Sequence, residues 1–211
     1  MRTAVYVDGF NLYYRALKRT SYRWVDLLAL SQQMVRPVNK VVLIKYFTAR
    51  VKSNAYKPDQ HVRQDAYLRA IKAHIPCLQV YEGQFYQHKV RMPLAHPPAS
   101  GPRTVEVIKS EEKGSDVNLA VHLVNDAWSN LFDVALVISN DSDLAEAVNL
   151  ARSQGKPVGV VNPSASDKMC YELHRIASFK RRIEAKHLRR SQMPDPVRDA
   201  TGGVIHKPVA W

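Results

Sequence analysis

Five short runs of β-branched and other apolar residues recur along the chain, separated by stretches long enough to hold helices. They are "TAVYV" (3–7), "VVLIKYF" (41–47), "CLQVYEGQF" (77–85), "VALVIS" (134–139) and "VGVV" (158–161). Strands with so little polar alternation have to be covered on both faces, and helix-length connections let successive strands run parallel. The pattern predicts a three-layer α/β domain, a mainly parallel sheet with helices on both faces. The helical intervals are roughly 10–18, 25–34, 58–74, 116–129, 143–154 and 167–176.

Two stretches break the alternation. Residues 88–104, "HKVRMPLAHPPASGPRT", hold four of the twelve prolines and are expected to form an exposed loop before the short "VEVIK". The C-terminal part, "FKRRIEAKHLRRSQMP" followed by "DPVRDATGGVIHKPVAW", is expected to be a basic helix and a mobile tail. The chain is thus divided into a globular domain over 1–180 and a basic appendage over 181–211. With 211 residues, 45% of them hydrophobic, it can bury one core of ordinary size.

A doubly wound sheet binds its ligands beyond the carboxyl ends of its strands, so acidic residues at those ends are the ones that matter. Asp8 follows the first strand in "VDGFN", where Gly9 permits a tight exit and Asn11 begins a helix. Asp141 and Asp143 follow "VALVIS" in "SNDSD". Asp116, in "EEKGSDVNLAVHLVNDAW", opens a helix that leaves the same edge of the sheet. On that helix Val117, Ala120, Val121, Val124, Ala127 and Trp128 form an apolar stripe expected to face the core, while His122 falls on the polar side and is expected to face solvent. Each aspartate alone could be a helix cap or a favourable first-turn charge. Four carboxylates at one edge would raise one another's pKa values unless a hard divalent cation, Mg²⁺ or Mn²⁺, held them ionised.

The combination of "VYVDGFNLYY", "EEKGSDVNLAVHLVNDAW" and "ALVISNDSDLAEAVNLARSQGKPVGVV" resembles the NYN domain family, in its LabA-like branch, over about residues 1–180. The resemblance implies a PIN-like, Rossmannoid fold with the first and fourth of the five strands adjacent, and an acidic pocket binding Mg²⁺ or Mn²⁺ for RNA cleavage. By position it implies Asp8, Asp116, Asp141 and Asp143 as the acidic residues, with Asn11 and Ser139 or Ser142 as polar neighbours. Many members have an aspartate where this chain has His122. A carboxylate cluster of this kind suits phosphodiester hydrolysis, with Asp8 and Asp141 as principal ligands, Asp116 and Asp143 as direct or water-mediated ones, and Asn11, Ser139 or Ser142 orienting water or phosphate.

The formal charge of +12, from 31 Lys+Arg against 19 Asp+Glu, favours a polyanionic partner. Nucleic acid is expected, RNA ahead of DNA, with an anionic membrane surface the weaker option. Lys89, Arg91 and Arg103 in the Pro-rich stretch, Lys109 and Lys113 before Asp116, and Arg50 and Lys52 after the second strand are the candidate contacts. Tyr13, Tyr14, Tyr56 and Tyr86 could stack on unpaired bases or pack in the core. "KRRIEAKHLRR" reads equally as a solvated helix, an RNA-binding arm or a contact within a homo-oligomer.

No run approaches the roughly 18 apolar residues of a membrane span, and "MRTAVYVDGF" reads as a strand rather than a signal peptide, so a cytoplasmic protein is expected. Cys77 and Cys170 stand alone and are expected to be buried free thiols. Three other readings stay open: a non-catalytic RNA-binding adaptor, a phosphatase or phosphoacceptor, and a Toprim-like enzyme. "VDGFN" lacks the D-x-D that haloacid-dehalogenase-type phosphatases place after the first strand, and Toprim-like enzymes place a glutamate where this chain has Asp8.

Overall fold

The computed structural model describes residues 1–53 and 58–211, and Tyr56 lies outside them. Its centre is a seven-stranded sheet built from β1 (Arg2–Asp8), β2 (Lys40–Ala49), β3 (Leu78–Pro93), β4 (Thr104–Lys113), β5 (Val134–Ile138), β6 (Val158–Asn162) and β7 (Phe179–Arg182). The strand order is β4-β3-β2-β1-β5-β6-β7, with every neighbouring pair parallel except β3 and β4. The expected α/β class is therefore observed, and the strands at 3–7 and 134–139 are neighbours.

Alternation along β1 divides the core. Val5 and Val7 face one layer, formed with α1 (Gly9–Leu12), α2 (Leu27–Met34), α3 (Gln60–His74) and α7 (Ala185–Arg190). Ala4 and Tyr6 face the other, formed with α4 (Ser115–Trp128), α5 (Ala145–Ser153) and α6 (Tyr171–Ile176). Leu12, Leu30, Leu68 and Ile71 are almost wholly buried in the first layer, and Leu119, Leu123 and Val148 in the second. Each such side chain contributes roughly 2 kcal/mol by leaving water.

Several expectations are corrected. The Pro-rich stretch is a loop only from 94 to 103. β3 continues to Pro93 and pairs antiparallel with β4 from Gln84↔Lys113 to Pro93↔Thr104, so a long two-stranded ribbon leaves the sheet. Its side chains alternate in a mostly solvated environment, and nothing in the core requires an apolar face there.

The helix at 116–129 is turned relative to its expected orientation. Val117, Val121 and Trp128 are 65, 60 and 74% exposed, whereas Leu119, Leu123, Asp126 and Ala127 are buried. The physical reason is Lys45 on β2. It is buried and meets Asp126 at 2.5 Å, and Tyr6 donates its hydroxyl to the same carboxylate oxygen at 2.7 Å. With two partners waiting in the core, Asp126 can face inward.

The residues after Pro194, expected to form a mobile tail, fold back as a hairpin of β8 (Val197–Arg198) and β9 (Val204–Ile205), with Val197 and Ile205 buried in the first core layer. Trp211 stands edge-on to Trp24 and Tyr67 at centroid distances of 6.3 and 6.0 Å. β7 spans the 180/181 boundary and pairs with β6. Cys77 and Cys170 are free, and both are half-buried rather than buried. Among the described residues no helix is long and apolar enough to cross a membrane.

Candidate metal centre

Strand order reverses direction between β1 and β5, so a crevice is expected beyond their carboxyl ends. Asp8 ends β1 there and is 3% exposed. The chain must turn at once into α1, and Gly9 allows this through close packing: an added Cβ would lie 2.7 Å from both the Phe47 carbonyl oxygen and the Tyr46 ring. Asp8 caps α1 by accepting the Asn11 backbone N–H on Oδ1 at 2.9 Å, and its Oδ2 accepts the Ser139 hydroxyl at 2.8 Å. Beyond β5, Ser139 Oγ accepts the Asp141 N–H at 3.1 Å, and Asp141 Oδ1 accepts the Asp143 N–H at 3.0 Å, capping the 3₁₀ turn Ser142–Leu144. Asn11 accepts the Asn140 N–H on Oδ1 at 3.1 Å, tying α1 to the same loop. Asp116 enters from the first turn of α4, after Gly114 turns the chain with φ 104°.

One oxygen each from Asp8, Asp116 and Asp141 lies within 4.8 Å of the other two. The capping and metal-binding readings are thus compatible: the caps fix the carboxylates, and each carboxylate keeps lone pairs to spare. Burial raises the Asp8 pKa, opposed by the bonds from Asn11 and Ser139. Asp116 is pushed up to about 6 by burial and by the charges of Asp8, Asp141, Glu112 and Asp143. Such mutual repulsion among hard oxygen donors fits Mg²⁺ or Mn²⁺, which would relieve it.

The other candidates are placed less centrally. Asp143 and Ser142 are exposed on the outer side of the turn, where Asp143 contributes charge to Asp116. Arg50 is held at the surface by Glu82 at 2.8 Å and Asp65 at 2.7 Å. Lys52 is exposed beyond β2. Lys89, Arg91, Lys109 and Lys113 lie on the ribbon and Arg103 immediately before β4. Lys89 pairs with Glu106 at 3.4 Å, and Lys109 pairs with Glu111. Lys113 lies over the Tyr86 ring at 6.0 Å.

His122 does not face solvent freely. It is half-buried against Tyr81, with ring centroids 4.1 Å apart, and its Nδ1 lies 3.2 Å from Lys45 Nζ. Burial and the lysine charge lower its pKa.

Two features escaped the sequence reading. Glu112, held by the Ser115 N–H at 3.1 Å, adds negative charge beside Asp116, and "EEKGSD" offered it among three acidic residues without a reason to choose. The Lys45–Asp126–Tyr6 network had no signal beyond a lysine inside an apolar strand.

The chain is 31% identical to 6-hydroxy-3-succinoylpyridine 3-monooxygenase HspA of Pseudomonas putida, in a match covering all of this chain and 75% of that protein. A crystal structure of a protein of unknown function from Vibrio parahaemolyticus shares the fold, with a TM-score of 0.52 and 17% identity over 87% of this chain and 93% of that one. The family model for the NYN domain matches residues 2–179, and the chain belongs to the NYN domain family.

Proposed function

We propose that this protein is a metal-dependent ribonuclease of the LabA-like branch, hydrolysing phosphodiester bonds of single-stranded RNA. The observation that carries the reading is the convergence of Asp8, Asp116 and Asp141 at the β1/β5 switch point. It is supported by membership of a PIN-like nuclease family whose members generally depend on divalent metal.

Asp8, Asp116 and Asp141 would hold the cation, with Asp143 reaching it directly or through water. A bound Mg²⁺ or Mn²⁺ supplies an activated water and charge stabilisation on the phosphate and the leaving oxygen. The protein's own contribution is positional. Ser139 and the Asn11 N–H fix both oxygens of Asp8, and the Asp143 N–H fixes one oxygen of Asp141. Asn11 has its carbonyl committed to Asn140, which leaves its amide N–H groups to orient phosphate or water. Ser142 is exposed for the same task. Asp116 must lose its proton before it can ligate. The cations Arg91, Arg103 and Lys113 of the ribbon, with Lys52, would draw the strand in from solution, while Lys89, Lys109 and Arg50, already paired with carboxylates, would add less.

The test is cleavage of labelled single-stranded RNA and DNA in Mn²⁺, Mg²⁺ or EDTA by wild type, Asp8→Ala and Asp141→Asn. Metal-dependent cutting lost in both variants supports the reading. RNA bound but left intact under all conditions would favour a non-catalytic adaptor with the same fold.

A second reading draws on the relative named as a pyridine monooxygenase: a small heteroaromatic substrate. An aromatic cavity beside Asp8 favours it. Against it, the turn after β1 carries Asp8 and Asn11 in place of the glycine-rich loop by which dinucleotide-dependent folds hold pyrophosphate.

A further inference from the structure

Next to the acidic cluster lies a cavity of about 370 Å³, within the roughly 300–1,000 Å³ of small-ligand sites. Gly9, the residue after Asp8, forms part of its wall together with Tyr46, so cavity and cluster share one turn of chain. Tyr13 and Tyr14 line it from a π-helix, Tyr13–Leu17, that continues α1, and Trp211 lines it from the other side. π-helical turns are uncommon and concentrate at functional sites.

The charge of the lining is as informative as its aromatic surface. Lys18, Arg23 and Arg63 all border the cavity, and among the described residues none of them pairs with a carboxylate. Arg23 donates to the carbonyls of Lys18 and Ala210, yet its buried Nε has no partner among those residues. Lys18 Nζ lies over the exposed Tyr14 ring at 4.6 Å. Aromatic faces ringed by cations that pair with no carboxylate among the described residues, one residue from a carboxylate cluster, suit a planar nitrogen heterocycle carrying an anionic group.

We propose that this cavity receives one unstacked nucleobase of the strand presented to the acidic cluster, with Tyr14 as a stacking face and Lys18 and Arg63 meeting the attached phosphate. The proposal rests on the nuclease reading and deepens it. The base held in the cavity sets which nucleotide flanks the bond to be cut, giving the enzyme a base preference that the cluster alone cannot provide.

The test is calorimetric titration of the full chain in EDTA, where nothing is cut, with the four ribonucleoside 5′-monophosphates, ribose 5-phosphate and 6-hydroxynicotinate. Wild type, Tyr14→Ala and Arg63→Ala are compared. Tyr14 is 57% exposed and Arg63 half-buried, so both variants should fold.

The expected result is binding of at least one mononucleotide, tenfold tighter than ribose 5-phosphate, and roughly fivefold or more weaker in each variant, as loss of a stacking face in Tyr14→Ala and of a charged phosphate contact in Arg63→Ala implies. Equal binding of ribose 5-phosphate, unchanged binding in both variants, or binding of 6-hydroxynicotinate alone would overturn it. Cleavage assays separate the two readings. Nucleotide binding without any metal-dependent cleavage sinks the nuclease and upholds the base site. Cleavage by Tyr14→Ala and Arg63→Ala with unchanged KM and base preference sinks the base site alone.

Discussion

Ser139 donates its hydroxyl hydrogen to Oδ2 of Asp8 at 2.8 Å, joining the carboxyl ends of two neighbouring strands whose residues are 131 positions apart in sequence. Ser139 is wholly buried, and it passes the constraint on by accepting the Asp141 N–H. One hydroxyl therefore sets the spacing of two of the three clustered carboxylates. Ser139→Ala should leave the fold intact, push the Asp8 pKa further up and weaken Mn²⁺ binding roughly tenfold or more, as expected for a hydrogen bond to a charged group. Titration of Mn²⁺ by calorimetry checks this, and an unchanged affinity would remove Ser139 from the positioning scheme.

Metal affinity should depend on pH through Asp116. Its pKa of about 6 means that below pH 6 the metal has to displace a proton. The apparent affinity for Mn²⁺ is expected to rise about tenfold per pH unit up to about 6 and to level off above it. Asp116→Asn should bind more weakly at pH 7.5 and lose that part of the slope. A flat wild-type profile between pH 5 and 7 would show that Asp116 does not ligate.

The same shift has the opposite consequence for the metal-free protein. The pKa of Asp116 in the fold, about 6, is above its ordinary value of 3.8, so folding favours the protonated form. That stability is fully present below about pH 4 and is lost as pH rises through 6. Asp116→Asn removes the penalty at pH 7.5. For a half-exposed carboxylate screened by solvent the gain is on the order of 1 kcal/mol. In EDTA the variant should melt about 2–4 °C above wild type, and saturating Mn²⁺ should reverse the order.

How far the sequence disclosed this molecule depends on where burial was decided. The runs at 3–7, 134–139 and 158–161 are apolar throughout because neighbouring strands and helices enclose them, and they were legible as parallel strands. So was the edge at which Asp8, Asp116 and Asp141 meet, since it follows from strand direction and topology. The orientation of α4 was not legible. Val117, Val121 and Trp128 rival Leu119 and Leu123 in apolar character, and the choice was made by Lys45, a residue more than seventy positions away. The ribbon from His88 to Pro93 was also hidden, because its only apolar alternation, Val90 and Met92, is short and runs straight into the prolines at 93, 97, 98 and 102, which read as a loop. β7, "FKRR", was equally silent, as only its first residue is apolar.

The buried Lys45–Asp126 pair offers a direct measure of that choice. Removing one partner leaves the other charge buried and uncompensated, which costs about 3–5 kcal/mol. Lys45→Met should therefore be strongly destabilising. The double variant Lys45→Met with Asp126→Asn keeps an acceptor for the Tyr6 hydroxyl and should recover a substantial part of the loss. Urea denaturation of the two single variants and the double one completes the cycle. Strict additivity would mean that the pair does not set the packing of α4.

Among the ribbon cations, Arg91, Arg103 and Lys113 have no carboxylate within ion-pair distance among the described residues, whereas Arg50 has two. A cation free of internal partners can release counterions from phosphate, while one already neutralised has less to gain. For single strands each phosphate contact contributes about 0.7 to the slope of log K against log salt. Replacing Arg91, Arg103 and Lys113 together by alanine should reduce the slope for single-stranded RNA by about 2, with little change in melting temperature because all three are exposed. Arg50→Ala should leave the slope nearly unchanged. Fluorescence anisotropy at four salt concentrations, in EDTA, distinguishes the two groups. If Arg50→Ala changed the slope and the triple variant did not, the strand would run along the end of β2 instead of the ribbon.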